Sequence, residues 1–299
     1  MPLYLLPVIA LMAVQPDAVA QDRTKFRADA KVVLVPTTVM DRKGALVTGL
    51  SSDSFTLAQD NVPQKIASFG EEDVPASLGI VFDTSGSMRP VLGQAKAVLR
   101  TLFDECNPED EAFLYTVSTR PDINSQFTSD FGDMLSHSAF FEADGATALV
   151  DTVYAAVRQM RGGHQPRKAL LVISDGMENH SRYSKAELMA AAVEADVQIY
   201  SISVFDPPMN KKPIELQEER QGVFFLEELS RKTGGIQIVV RNAQDIHNAA
   251  STIGRAIRNQ YVLGYIPENV TSDDKWHSIR IGLNRPDAKA YARSGFFAH

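Results

Sequence analysis

The sequence predicts an α/β protein. Its centre is a doubly wound, mostly parallel sheet with helices on both faces, and its two ends supply a small β-sandwich-like unit. Three observations predict this. From about residue 77, continuously apolar strand-length runs alternate with amphipathic helical stretches, which is the grammar of βα units covered on both sides. Ahead of that region, strand runs separated by turn residues show no helical period. Behind it, three short strand runs return.

In chain order, residues 1–20 read as a secretory signal peptide. Leu3 to Val14 is an apolar run broken by Pro7, Ala18-Val19-Ala20 is a small-residue cleavage pattern, and charge begins at Asp22-Arg23. A basic residue ahead of the apolar run is missing, so an uncleaved anchor and a misplaced start are the alternatives. The apolar run is short for a spanning helix, and nothing later in the chain resembles one. The leader implies export, to the periplasm, the cell envelope or the medium.

Residues 26–75 form an N-terminal β segment. KVVLVPTTVM is a strand, DRKG a turn and ALVTGL a second short strand. SDSFTLAQD and NVPQKIASFG follow, joined by a turn at Asp60-Asn61. Residues 76–260 carry the α/β grammar. SLGIVF, EAFLYTVS, KALLVIS, VQIYSISV and IQIVV are strands. VLGQAKAVLRTLFDE, TALVDTVYAAVRQM, SKAELMAAAVEA (opened by a Ser cap), FFLEELSRKTGG and AQDIHNAASTIGRAIRNQ are helices. The polar stretch 206–222 reads as an exposed loop. Residues 261–299 form a C-terminal β segment of three strands, YVLGYIP, WHSIRIGL and AYARSGFF. Neither β segment is long enough to bury a good core alone, so the two are expected to pack on each other.

Composition narrows the function. The 299 residues are 44% hydrophobic and 22% charged, an ordinary globular balance. The net charge of −7 and the lack of a basic tract argue against nucleic acid as a partner. Cys106 is the only cysteine, so no intrachain disulfide forms, and it reads as a small buried hydrophobe. Enzyme motifs are missing: there is no G-x-S-x-G elbow, H-E-x-x-H, P-loop or G-x-G-x-x-G. The histidines (His137, His164, His180, His247, His277, His299) are scattered. Only His180 falls near the edge described next, and it has no evident orienting carboxylate.

That edge begins in SLGIVFDTSGSMRP, residues 77–90. A buried strand ends in Asp83, Ser85 and Ser87, one oxygen-bearing side chain at every second position. In open α/β sheets, ligands gather beyond the carboxyl ends of the strands. Asp175 follows a second apolar strand in ALLVISDG, and Thr147 opens a helix in DGATALVD. Asp and Ser in such places also serve as helix caps, but three separate pieces agree here. Hydroxyls with only two carboxylates suit Mg2+ or Mn2+, and Ca2+ less well because it usually takes more carboxylate. Gly86 and Gly145 permit close backbone turns.

Asp83-x-Ser85-x-Ser87, Thr147 and Asp175 resemble the metal-ion-dependent adhesion site of von Willebrand factor type A domains, over about residues 76–260. FDTSGSM, GATALVD, SDGMENHSRYS, QYVLGYIPEN and the leading β segment are similar to the acidobacterial-type VWFA-related domain proteins, which are exported bacterial proteins. The resemblance implies a von Willebrand A/Rossmann-like fold. It implies that Ser85 and Ser87 bind a metal through their hydroxyls and Thr147 directly or through water, while Asp83 and Asp175 hold metal-bound waters. The open position would take an Asp or Glu carboxylate of a protein partner. Asp144 reads as a solvated loop carboxylate or a cap. Glu178, Asn179, His180 and Arg182 are candidate partner contacts on the rim, against the alternative of an ordinary polar loop. The leading function is therefore a secreted or envelope-exposed, non-catalytic protein-binding module. The alternatives are a metal-dependent hydrolase and a purely structural envelope scaffold.

Overall fold

The first strand, β1 (Val33–Asp41), finds both of its partners at the far end of the chain. These contacts belong to a computed structural model that describes residues 32–205, 212–267 and 274–298. The leader read over residues 1–20 lies outside the described residues. After β1 come β2 (Phe55–Gln59), β3 (Val62–Gln64) and β4 (Ile66–Asp73). The α/β region contributes β5 (Ala76–Asp83), α1 (Leu92–Asp104), β6 (Glu111–Val117), β7 (Pro121–Thr128), α2 (Phe131–Ser138) and α3 (Leu149–Gln159). It continues with β8 (Arg167–Ser174), α4 (Lys185–Glu194), β9 (Gln198–Val204), α5 (Pro213–Thr233), β10 (Gln237–Val240) and α6 (Ala243–Arg258). The chain closes with β11 (Asn259–Tyr265), β12 (Trp276–Leu283), β13 (Ala288–Ala292) and β14 (Gly295–Phe297).

The central sheet runs β10-β9-β8-β5-β6-β7, parallel except for β7. Its central strands β5 and β8 carry near-continuous apolar runs because both of their faces are covered. Ile80, Phe82, Leu171 and Ile173 point into the core under α1 and α6. Val81, Leu170 and Val172 point into the core under α3, α4 and α5. The strand order reverses at β5, which lies between β8 and β6. The carboxyl end of β5 is thus a topological switch point, where such sheets place ligands.

Two four-stranded sheets make the sandwich, β13-β1-β11-β4 and β14-β12-β2-β3. Val35 and Leu263 from the first sheet share one core with Phe55, Leu57 and Ile279 from the second. Tyr265 crosses between the sheets and donates its hydroxyl to Gln59 Oε1 at 2.7 Å. The sandwich meets the central sheet at the amino ends of β5 and β8, where Arg167 N–H donates to the Pro75 carbonyl at 3.4 Å.

Several elements differ from the sequence reading. Residues 206–222 are not all loop: α5 already begins at Pro213. Pro213 occupies the first helical position, and Glu215 accepts from Lys212 N–H at 2.9 Å. The first turns of this helix face solvent, so they carry no apolar period. Residues 206–211 of that stretch lie outside the described residues. Strand β7 and helix α2 are further elements beyond those the sequence predicts. The former is a polar edge strand opened by a proline, which sheets tolerate only at such places. ALVTGL makes a single bridge, Met40 to Leu46, because Gly44 and Gly49 turn the chain at φ +81° and +73°. NVPQKIASFG is divided between two sheets as β3 and β4, and AYARSGFF is divided into β13 and β14.

Candidate functional site

Strands β5 and β8 are parallel neighbours with Phe82 opposite Ile173, so Asp83 and Ser174 emerge side by side. Thr84 then folds back onto β6, donating its N–H and its hydroxyl to the Val117 carbonyl at 2.9 and 2.8 Å. This bend places Ser85 in extended backbone ahead of a one-turn 3-10 helix, Gly86–Met88. The Asp83 carboxylate accepts from Ser85 N–H at 2.9 Å and from the Ser174 hydroxyl at 2.5 Å. The Ser85 and Ser87 hydroxyls stand 3.2 Å apart.

Two more loops join this one. Asp144 N–H donates to the Thr84 carbonyl at 2.9 Å, and Gly86 N–H donates to the Gly145 carbonyl at 3.1 Å. Gly145 sits at φ +82°, which favours glycine. Thr147 follows and is clamped to the β8 loop: its N–H donates to Asn179 Oδ1 at 2.9 Å, and its carbonyl accepts from Asn179 N–H and His180 N–H, both at 3.1 Å. Asp175 turns back to accept from Met177 N–H at 3.0 Å. Asp83, Ser85, Ser87, Thr147 and Asp175 therefore share one edge. All but Ser87 are buried, with Asp83 and Ser85 at 0% exposure.

The electrostatics of the edge are unusual for a soluble surface. Burial, followed by the charge of Asp175, pushes the Asp83 carboxyl from its ordinary 3.8 up to about 7, against the pull of hydrogen bonds from Ser174 and Ser85. Among the described residues no Lys, Arg or His stands within ion-pair distance of Asp83. Two buried carboxylates in mutual repulsion, ringed by hydroxyls, are a donor set that a hard divalent cation would fit. Among the described residues there is no cluster of three or more His, Cys, Asp or Glu, so a cation on this edge would need the hydroxyls.

The rim residues divide into two kinds. Glu178 is a scaffold: it accepts from Val150 N–H at the start of α3, from His180 N–H, and from the N–H and hydroxyl of Ser181, all between 2.7 and 2.9 Å. Asn179 is held by Thr147. His180 and Arg182 are exposed. The Arg182 guanidinium pairs with the buried Asp151 carboxylate at 3.3 Å. Across the edge, Asp144 and Arg89 form a solvent-exposed pair at 3.8 Å.

Sequence reasoning did not single out Ser174, Asp151, Gly176 or Gly222. Ser174 was visible as the residue ahead of Asp175 at a strand end. Asp151 was visible as an acid in the first turn of a helix. Gly222 had no local signal, because its role depends on a contact across the fold. Cys106 is partly buried, and burial pushes its thiol up to about 12, so it is inert.

Residues 78–178 match the family model of the von Willebrand factor type A domain. A von Willebrand factor type A structure from Catenulispora acidiphila is similar at 12% identity and a TM-score of 0.50, covering 92% of this chain and 65% of that one. An aerotolerance-related membrane protein from Bacteroides fragilis is 21% identical over 61% of this chain and 98% of its own, with a TM-score of 0.49. The conserved hypothetical protein BatB from Bacteroides thetaiotaomicron is 20% identical over 60% and 98%, also with a TM-score of 0.49. At 12% identity the likeness to the Catenulispora structure is one of fold alone. No curated protein sequence matches the chain. Among the described residues no helix is long and apolar enough to cross a membrane.

Proposed function

We propose that this chain is an exported, non-catalytic protein-binding module whose Asp83–Asp175 edge holds Mg2+ or Mn2+ and through it takes an Asp or Glu carboxylate of a partner protein. The observation that carries the reading is the convergence of two buried carboxylates and three hydroxyl side chains on one sheet edge at the switch point. Ser85, Ser87 and Thr147 would supply hydroxyl oxygens, and Asp83 and Asp175 would supply negative charge. A bound divalent cation would supply a position that attracts an anionic oxygen. The protein's own part is to keep these groups in place: Ser174 and Ser85 N–H fix the Asp83 carboxylate, and Asn179 fixes the backbone of Thr147.

Two rival readings have less support. Backbone hydrogen bonds already tie the three loops together, so they need no ion merely to hold their shape. Against a hydrolase, no histidine ring on this edge, among the described residues, is hydrogen-bonded to a hydroxyl, and the hydroxyl–carboxylate pair of Ser174 and Asp83 is fully buried. Export rests on the leader sequence alone.

Calorimetric titration of the full chain with Mn2+ tests the metal. One site is expected, lost in the Ser85→Ala/Ser87→Ala double variant with the fold retained. Binding that survives the double change would sink the assignment. Capture from envelope extract in Mg2+, and its loss in EDTA, tests the partner. Metal-dependent turnover of a peptide, ester or phosphate substrate, removed by Asp83→Ala, would favour the hydrolase instead.

A further inference from the structure

Helix α4 is apolar where a surface helix should be polar. Leu188 and Ala192 face the core, as expected. On the outer side, however, Ala186 and Ala190 are exposed and Met189 and Val193 are only half-buried. A surface helix ordinarily turns polar residues outward. This apolar side faces α5 across a groove. Two concavities of about 650 and 550 Å³ lie end to end there, and Lys185 and Glu228 line both. Phe224, 65% exposed, stands at one end. Trp276 stands at the other, its ring 5.3 Å from that of Phe297.

The charge of the groove runs against that of the chain. Lys185, Arg220 and Lys232 line it, with Glu228 as the one acid. The Lys185 ammonium lies over the Phe225 ring at 4.5 Å, and Arg220 Nε donates to the Leu216 carbonyl of its own helix at 3.2 Å. Among the described residues none of the three cations has a carboxylate within ion-pair distance. A cationic groove in a chain of net charge −7 attracts acidic partners, and pairing two such grooves across a two-fold axis would set like charges against each other.

We infer that the groove between α4 and α5 is a docking site for an acidic peptide segment with large apolar anchors, carried by a partner protein. The apolar floor would take the anchors, and Lys185, Arg220 and Lys232 would pair with the carboxylates. Helix α4 is about 15 Å long, which matches about ten residues of a docked helix. The surface is concave, which suits a peptide better than a lipid bilayer. None of its lining residues is among the five candidate ligands, and the inference does not rest on a bound metal.

Trp276 is the only tryptophan, so its emission reports on this groove directly. The test pans a random-peptide display library on the full chain in EDTA, which removes any contribution of the metal edge. Selected peptides should be rich in Asp and Glu together with Leu, Phe or Trp. Tryptophan-free synthetic versions should shift Trp276 emission on binding. Lys185→Glu with Lys232→Glu should weaken binding by about tenfold or more at unchanged thermal stability. The inference is overturned if no peptides are enriched, if they lack an acidic bias, or if they leave Trp276 unmoved or bind the charge-reversed variant equally well. It is also overturned if the groove instead pairs two copies of the chain by sedimentation, or binds anionic phosphatidylglycerol vesicles in preference to peptide.

Discussion

Gly222, in the middle of α5, lies backbone to backbone against Gly176, the residue after Asp175. A Cβ on Gly222 would stand 2.6 Å from the Gly176 carbonyl carbon and 2.8 Å from the Asp175 carbonyl oxygen. A Cβ on Gly176 would stand 2.6 Å from the Gly222 carbonyl carbon, and Gly176 also sits at φ +78°. Two glycines therefore let a long helix press on the loop that carries one of the two buried carboxylates. Helix α5 is thus part of what positions the edge, although none of its side chains stands among the five candidate ligands.

Gly222→Ala should therefore cost about 1–3 kcal/mol, the usual range for overpacking, and should weaken Mn2+ binding by displacing Asp175. Gly93→Ala is the control. Gly93 lies in α1, where an added Cβ meets nothing within 4 Å, so alanine should gain about 0.5–1 kcal/mol from helix propensity. Urea unfolding of both variants, with Mn2+ calorimetry of the first, checks the pair. Unchanged stability and affinity in Gly222→Ala would show that the contact gives way.

The metal-free protein should lose stability as pH rises from about 4 to about 7. The Asp83 carboxyl is raised from 3.8 to about 7, so in this window the folded state holds a proton that the unfolded state has released. Folding is then favoured below the unfolded value and loses ground until the folded value is passed. Asp83→Asn should flatten this slope in EDTA. Unfolding midpoints measured across the window would decide it, and a wild-type slope of the opposite sign would refute the account.

Glu178 and Arg182 should behave differently, although both were candidate rim contacts. Glu178→Ala removes the acceptor for Val150 N–H in the first turn of α3 and for three groups of its own loop. It should cost about 1–2 kcal/mol, as the loss of a helix cap does. Arg182 has a side chain 86% exposed, so Arg182→Ala should change stability by no more than about 1 kcal/mol. Partner capture in Mg2+ with both variants separates the roles. Only a loss caused by Arg182→Ala can be assigned to contact with the partner.

How legible these features were depended on how local their causes are. The five residues of the edge were readable because Asp83 and Asp175 directly follow apolar strands and Thr147 precedes a helix. Each position is fixed by its own neighbours in sequence. Helix α4 was readable from Ser184, whose hydroxyl and Glu187 complete a capping box. The first turns of α5 were not, because a solvent-facing helix carries no apolar stripe. Strand β7 was hidden by its polarity, which an edge strand can afford. The Gly176–Gly222 contact joins residues 46 positions apart and leaves no local trace in either segment.

At the opposite end of the molecule, Gln260 joins the sandwich to the central sheet. It is buried at 1% exposure and accepts from the Arg167 guanidinium. Its amide donates to Tyr200 Oη at 2.7 Å and to Gln198 Oε1 at 2.9 Å. Arg167 is itself buried, and its one charged partner among the described residues is Glu72 at 3.5 Å. Gln260→Met keeps much of the volume but leaves Arg167, Gln198 and Tyr200 short of partners. It should cost about 2–3 kcal/mol, the desolvation penalty of buried groups left unmade. Arg167→Met should cost a similar amount. The double variant should cost clearly less than the sum, because each single change orphans what the other removes. Additive losses in urea unfolding would show that the two side chains act independently. Strand β5 separates this junction from Asp83 by about 23 Å, so Mn2+ affinity should not change.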